Sequence, residues 1–157
     1  MSQPVAPLSA TEQAANESLP PPSAAPPRRL FLPTLYVLRV LATLNALLVL
    51  AQAWSIGQYL NGDYPLLGVH GTGAGIAILS ALILGLVAVV HVLSGGPWRV
   101  LAAVPLFFAE GFQTGMGYAR QLGIHVPLGV AIVTLAVLLT LWCWSPSAAR
   151  PRRRSPR

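Results

Sequence analysis

From Leu30 to Trp144 the chain is almost wholly apolar, and three short polar breaks divide it into four lengths: Leu30–Ile56, Leu66–Leu93, Val100–Tyr118 and Val126–Trp144. A bilayer core about 30 Å thick takes roughly 20 helical residues to cross. Lipid offers no hydrogen bonds, so each length must close its own backbone bonds, which means helix. The pattern predicts an all-α fold, a four-helix transmembrane bundle over residues 30–144. The breaks are short, so consecutive helices should run antiparallel, up and down, as neighbours.

The flanks differ sharply from this block. Residues 1–29 are rich in Pro, Ala, Ser and Gln, with the run Pro20-Pro21-Pro22 and the pair Pro26-Pro27. Such a segment buries too little apolar surface to offset its ordering entropy, so it is expected to be a disordered tail. Residues 145–157, SPSAARPRRRSPR, are expected to be a second disordered tail, a basic one. A secretory signal opens with a basic stretch. Residues 1–27 hold no basic residue and seven prolines, so the first span is expected to serve as an uncleaved signal anchor.

Charge adds an orientation. The chain is 54% hydrophobic and 9% charged, against about 25% charged residues in soluble domains. Its net charge of +6 comes from ten Arg and no Lys, half of them in the last eight residues. Arg28, Arg29 and Arg39 flank the start of span one, Arg99 lies in the second break, and five arginines follow span four; only Arg120 lies elsewhere. Positive residues stay inside, so both termini are expected in the cytoplasm and the protein in the plasma membrane as a multi-pass chain. The basic C-terminal tail suits anionic lipid headgroups better than nucleic acid. Trp54, Tyr59 and Tyr64 would then lie at the outer interface, and Trp98, Trp142 and Trp144 at the inner one. Pro127 is expected in the first turn of span four, where a missing N–H costs little, and Pro105 is expected to kink span three. The single cysteine, Cys143, excludes a disulfide or thiolate metal site within one chain.

Polar residues inside spans are costly and often functional. His70 opens span two and His125 opens span four, so both imidazoles should lie at similar depth near the outer surface. His91 follows His70 by about 31 Å of helix and belongs at the other end. Gly73, Ala74, Ala77 and Ala81 share a helical face with His70, which leaves room for something flat beside it. Two neutral imidazoles on facing helices suit the axial positions of a haem iron. The same features also fit plain structure: Gly71–Gly75 and Gly111–Gly115 are small-residue pairs of the kind that pack helices, and a His near the interface can face water. Another metal is a third reading, with zinc disfavoured because structural sites want four ligands.

Span three carries Glu110, Gln113 and Gly117 on one stripe leading to Arg120. Mid-membrane, an unpaired Glu110 is expected to be protonated. It would relay protons, or orient a ligating His, or simply hydrogen-bond Asn45 or Gln52 of span one. Asn45, Gln52 and Tyr59 recur every seven residues as a polar seam. Arg120 would neutralise a haem propionate or face headgroups.

The stretch from Glu110 through Gln113, Gly117, Arg120 and His125 to Gly129 resembles the third and fourth helices of a heme A synthase half-domain. There a Gln-x-x-x-Gly helix precedes a short outer loop and a His opens the next helix. The resemblance runs from Leu66 to Trp144 and implies a four-helix bundle with His70 and His125 poised for haem b. The synthase has two such halves and extracytoplasmic carboxylate chemistry, whereas this chain has one half and only Asp63 in the matching loop, so hydroxylation of a haem methyl is not implied. The all-Arg, Ala/Leu/Val-rich composition is similar to that of actinobacterial membrane proteins.

Two functions follow. One is a bis-His haem-binding electron-transfer component, with His70 and His125 on iron and Arg120 near propionates. The other is a cofactor-free accessory or scaffold protein that meets a membrane partner, or its own copy, through its glycine pairs. Proton or solute transport through Glu110 is a third, with few spans and no inverted repeat to support it. A soluble-type hydrolase is excluded by the lack of Ser-x-x-Lys, Gly-x-Ser-x-Gly and His-Glu-x-x-His patterns.

Overall fold

In a computed structural model that describes residues 30–152, the chain is all-helical: α1 is Phe31–Leu60, α2 is Leu66–Leu93, α3 is Ala103–Tyr118 and α4 is Leu122–Trp144, with a 3-10 turn at Trp98–Ala102 leading into α3. The expected tail at residues 1–29 lies outside the described residues. Three of the helices, α1, α2 and α4, are long and apolar enough to cross a membrane. Large apolar side chains face outward on every one: Leu47 and Val130, for example, are 59% and 65% exposed. Outward apolar surface on that scale needs a lipid or protein cover.

Each helix packs on its neighbours in chain order and α1 closes the ring against α4, while the backbones of the diagonal pairs α1–α3 and α2–α4 stay apart and meet only through side chains. The runs are antiparallel. The start of α2 meets the end of α1 where His70 reaches Gln52 and Ser55, and the start of α4 meets the end of α3 where His125 reaches Gln113. At the opposite end, Thr34 of α1 meets His91 of α2.

Three helices end the same way. In each, the first residue past the cap has positive φ, and two backbone bonds close the last turn. For α1 these are Gly62 to Tyr59 and Asp63 to Gln58; for α2, Gly95 to Val92 and Gly96 to His91; for α3, Arg120 to Gly117 and Gln121 to Met116. Glycine takes that backbone freely. Arg120, at φ 56°, is the exception among the described residues.

The prolines exchange their expected roles. Because α4 starts at Leu122, four residues before the expected Val126, Pro127 lies inside the helix rather than in its first turn. Its ring supplies no N–H for the Gly123 carbonyl one turn back. Pro105 sits third in α3, just after the 3-10 turn, where the first N–H groups have no intrahelical partner in any case. In place of the kink expected at Pro105 inside span three, the helix changes from 3-10 to α two residues earlier.

The core is asymmetric along the bundle. Toward the His91 end it is dry: Leu38, Leu84, Val100, Leu106 and Cys143 are at most 1% exposed. Arg39 rests between Tyr36 and Trp144 and donates to the Cys143 carbonyl, tying α1 to α4. Residues 145–152, assigned to the disordered tail from composition, form turns, and Arg152 bonds to the Gly95 and Val92 carbonyls. Toward the His70 end the core is polar, and the candidate site lies there.

Candidate functional site

His70 on α2 and His125 on α4 reach across the diagonal of the bundle until their rings nearly meet, with centroids 6.2 Å apart and planes inclined at 73°. α1 and α3 supply the flanks, so all four helices build the site. The Nδ1 of His125 lies 2.8 Å from the Gln113 carbonyl. The Nδ1 of His70 lies 3.1 Å from the Gln52 carbonyl and 3.2 Å from Ser55 Oγ. Ser55 itself donates to Gln52, so its oxygen is free to accept. A carbonyl only accepts, so each Nδ1 must carry the proton. With Nδ1 committed to a carbonyl, Nε2 is the nitrogen of each ring left for another partner, as in histidines that bind metal through Nε2.

The two rings meet edge-on at the polar end of the bundle. Among the described residues no group of three or more His, Cys, Asp or Glu side chains that could hold a metal ion gathers. A pair of imidazoles is the donor set of a bis-imidazole haem iron, whose equatorial donors belong to the cofactor.

Glycines make the site possible. A Cβ on Gly117 would lie 2.8 Å from His125 Cε1, so the Cε1 side of the ring rests against α3 at this glycine. A Cβ on Gly129 would lie 2.7 Å from Gln113 Nε2, and one on Gly73 would strike the Gln52 amide. Thus Gln113 and Gln52 each lie against a glycine of the neighbouring helix. Both leave Oε1 buried without a partner.

One turn deeper, Asn45 Nδ2 donates to Glu110 Oε1 at 3.1 Å and to the Ala77 carbonyl at 3.4 Å. This is the α1–α3 bond foreseen as the structural role of Glu110. The expected flat recess beside His70 is filled: Gly73 meets Gln52, and Ala77 and Ala81 are 3% and 0% exposed in the core. An open groove along α2, lined by Pro65, Gly68, Val69, Thr72, Gly73 and Ile76, includes neither histidine. Arg120 is exposed beyond the end of α3. His91 is fully buried at the far end, stacked on Phe31 and bonded through Nδ1 to Thr34.

Sequence reasoning missed Ser55 and Gly117 as parts of the site. Ser55 offered one signal, its i+3 spacing from Gln52 on the seam of α1. Gly117 was legible only as part of a motif, since the ring it accommodates belongs to another helix. The chain matches no family model, no curated protein and no solved structure.

Proposed function

We propose that this chain is a four-span protein of the plasma membrane with both termini in the cytoplasm, and that it binds haem b through His70 and His125 as an electron-transfer component. The fourth crossing is made by the 3-10 turn and α3 together. Five residues at about 2.0 Å and sixteen at about 1.5 Å reach about 34 Å, enough for the hydrocarbon core. The arginine distribution supports the orientation, and the heme A synthase resemblance supports the ligand pair.

The haem reading rests on one observation: two imidazoles on diagonal helices, 6.2 Å apart, each tied through Nδ1 to a backbone carbonyl. A haem held this way supplies a one-electron couple. The protein's part is to fix both imidazoles and set the charge nearby, where Arg120 favours propionates. Arg120 keeps a left-handed backbone at a position that suits glycine, which supports a use for its side chain. The test is the visible spectrum of detergent-purified protein from haem-supplied cells, oxidised and then reduced. A low-spin spectrum that His70→Ala and His125→Ala each abolish is expected; the lack of any Soret band sinks the proposal.

A second reading, a cofactor-free accessory protein, draws on the open glycines. Gly75, Gly111 and Gly115 have nothing within 4 Å of a would-be Cβ, so these small residues pack against no other helix of this chain. If they seat a partner helix, Gly111→Leu or Gly115→Leu breaks the association while the His→Ala changes leave it intact.

A further inference from the structure

Below the imidazole pair, four buried side-chain oxygens have no partner: Gln52 Oε1, Gln113 Oε1, Asn45 Oδ1 and Glu110 Oε2. They come from α1 and α3, and by helical rise Gln113 stands about 4.5 Å, and Gln52 about 10 Å, above Glu110 and Asn45 respectively. Gln52 and Gln113 are partly exposed, whereas Asn45 and Glu110 are 0% and 4% exposed. Beneath them Ala42, Leu84 and Leu106, each at most 1% exposed, close the bundle. The polar column thus opens at the His70 end and stops at Glu110.

The hydrogen bonds say which form of Glu110 belongs there. Asn45 spends its N–H groups on the Ala77 carbonyl, which can only accept, and on Glu110 Oε1. This fixes the amide orientation and turns Oδ1 into an acceptor. Of these four oxygens all but a protonated Glu110 Oε2 are then acceptors; the nearest further unpartnered group is the Ser80 hydroxyl of α2, three residues past Ala77. A carboxylate would add two charged acceptors to an acceptor-rich site with one N–H offered, and a buried unpaired charge is far costlier than a neutral acid. No cation is near enough to repay that cost: Arg39 is spent on Cys143 at the dry end and Arg120 is exposed past α3. The titratable groups on the neighbouring helices nearest this level are His70 of α2 and His125 of α4, both higher in the column.

We propose that Glu110 is a proton-binding site at the closed end of an outward-opening polar shaft: a neutral carboxyl that exchanges its proton through the His70/His125 end and passes none to the other side. Oε1 accepts from Asn45, Oε2 carries the proton, and water hydrogen-bonded to the glutamine oxygens takes and returns it. This holds whether or not a cofactor binds above it.

The test uses the full chain in lipid nanodiscs. Dicyclohexylcarbodiimide, an apolar reagent for protonated carboxyls, is applied at neutral pH and adducts are read by peptide mass spectrometry, with exposed Asp63 as internal reference. Glu110 is expected to label at least tenfold above Asp63. In the infrared, wild type minus E110Q should show a carboxylic-acid carbonyl band that shifts in D2O, and liposomes carrying the protein should hold a pH gradient. Equal labelling or no acid band overturns the neutral assignment. A band that D2O leaves in place overturns the shaft, and a gradient that collapses in wild type but not in E110Q overturns the closed end. Since no arm reads haem, a missing Soret band leaves this result standing, and its failure leaves the haem reading untouched.

Discussion

Gly117→Ala is the sharpest probe of the imidazole pair. The added methyl would lie 2.8 Å from His125 Cε1 and 3.0 Å from Nδ1, whereas carbon contacts settle at about 3.5–4.0 Å. The ring must retreat by roughly 0.7 Å or more, and a metal bond tolerates only about 0.2 Å. The retreat also stretches the 2.8 Å bond from Nδ1 to the Gln113 carbonyl, which fixes the tautomer. Disturbing such an outer-shell bond costs about 10–100-fold in metal affinity, or about 1.4–2.7 kcal/mol. Gly115→Ala is the matched control: it lies on the same helix with nothing within 4 Å, and alanine is about 1 kcal/mol better than glycine in a helix. Haem titration followed at the Soret band, with thermal melts to confirm folding, should show the loss for Gly117→Ala alone. Wild-type affinity in Gly117→Ala, or an equal loss in Gly115→Ala, would refute the claim that α3 positions the ligand through its missing side chain.

Arg120→Gly should raise thermal stability by about 1 kcal/mol, the cost of a left-handed non-glycine residue, while weakening haem binding if the guanidinium serves propionates; a lower melting temperature would contradict the backbone argument. Pro127→Ala should stabilise by up to about 3 kcal/mol because Pro127 is interior to α4, and Pro105→Ala should change little, both read from unfolding in detergent. Gly96→Ala should destabilise by about 1–3 kcal/mol, since its Cβ would land on the fully buried His91 ring; an unchanged melt would show that loop to be soft. For topology, single cysteines at residues 61–64 in a Cys143→Ala background should react with an impermeant maleimide from outside intact cells, and those at 95–97 only after lysis.

Much of the architecture was legible because the bilayer is a simple solvent. A long run with few charges and no water-facing side has one economical backbone solution, so the helices, their order and their antiparallel pairing could be read from Leu30 to Trp144. The depth match of His70 and His125 was equally readable, since helical rise converts residue number directly into height. Helix ends were less so. α1 runs to Leu60, past the expected Ile56, because Gly62 and not the first polar residue supplies the stop. The early start of α4 in turn moved Pro127 from the first turn to the interior.

Composition and periodicity by themselves determined that this is an apolar helical protein with a few polar residues concentrated toward one end. The tertiary structure decided what those residues face. Whether a glycine is packing surface or a seat for a side chain depends on the opposite helix: Gly117 and Gly129 hold His125 and Gln113, while Gly111 and Gly115 face away. Likewise the Gly/Ala strip beside His70 looked open along its own helix and is filled by α1. The physical reason is that rise and angle are local properties of one helix, whereas burial and hydrogen-bond partnership belong to pairs of helices, and a chain records those only through its packing.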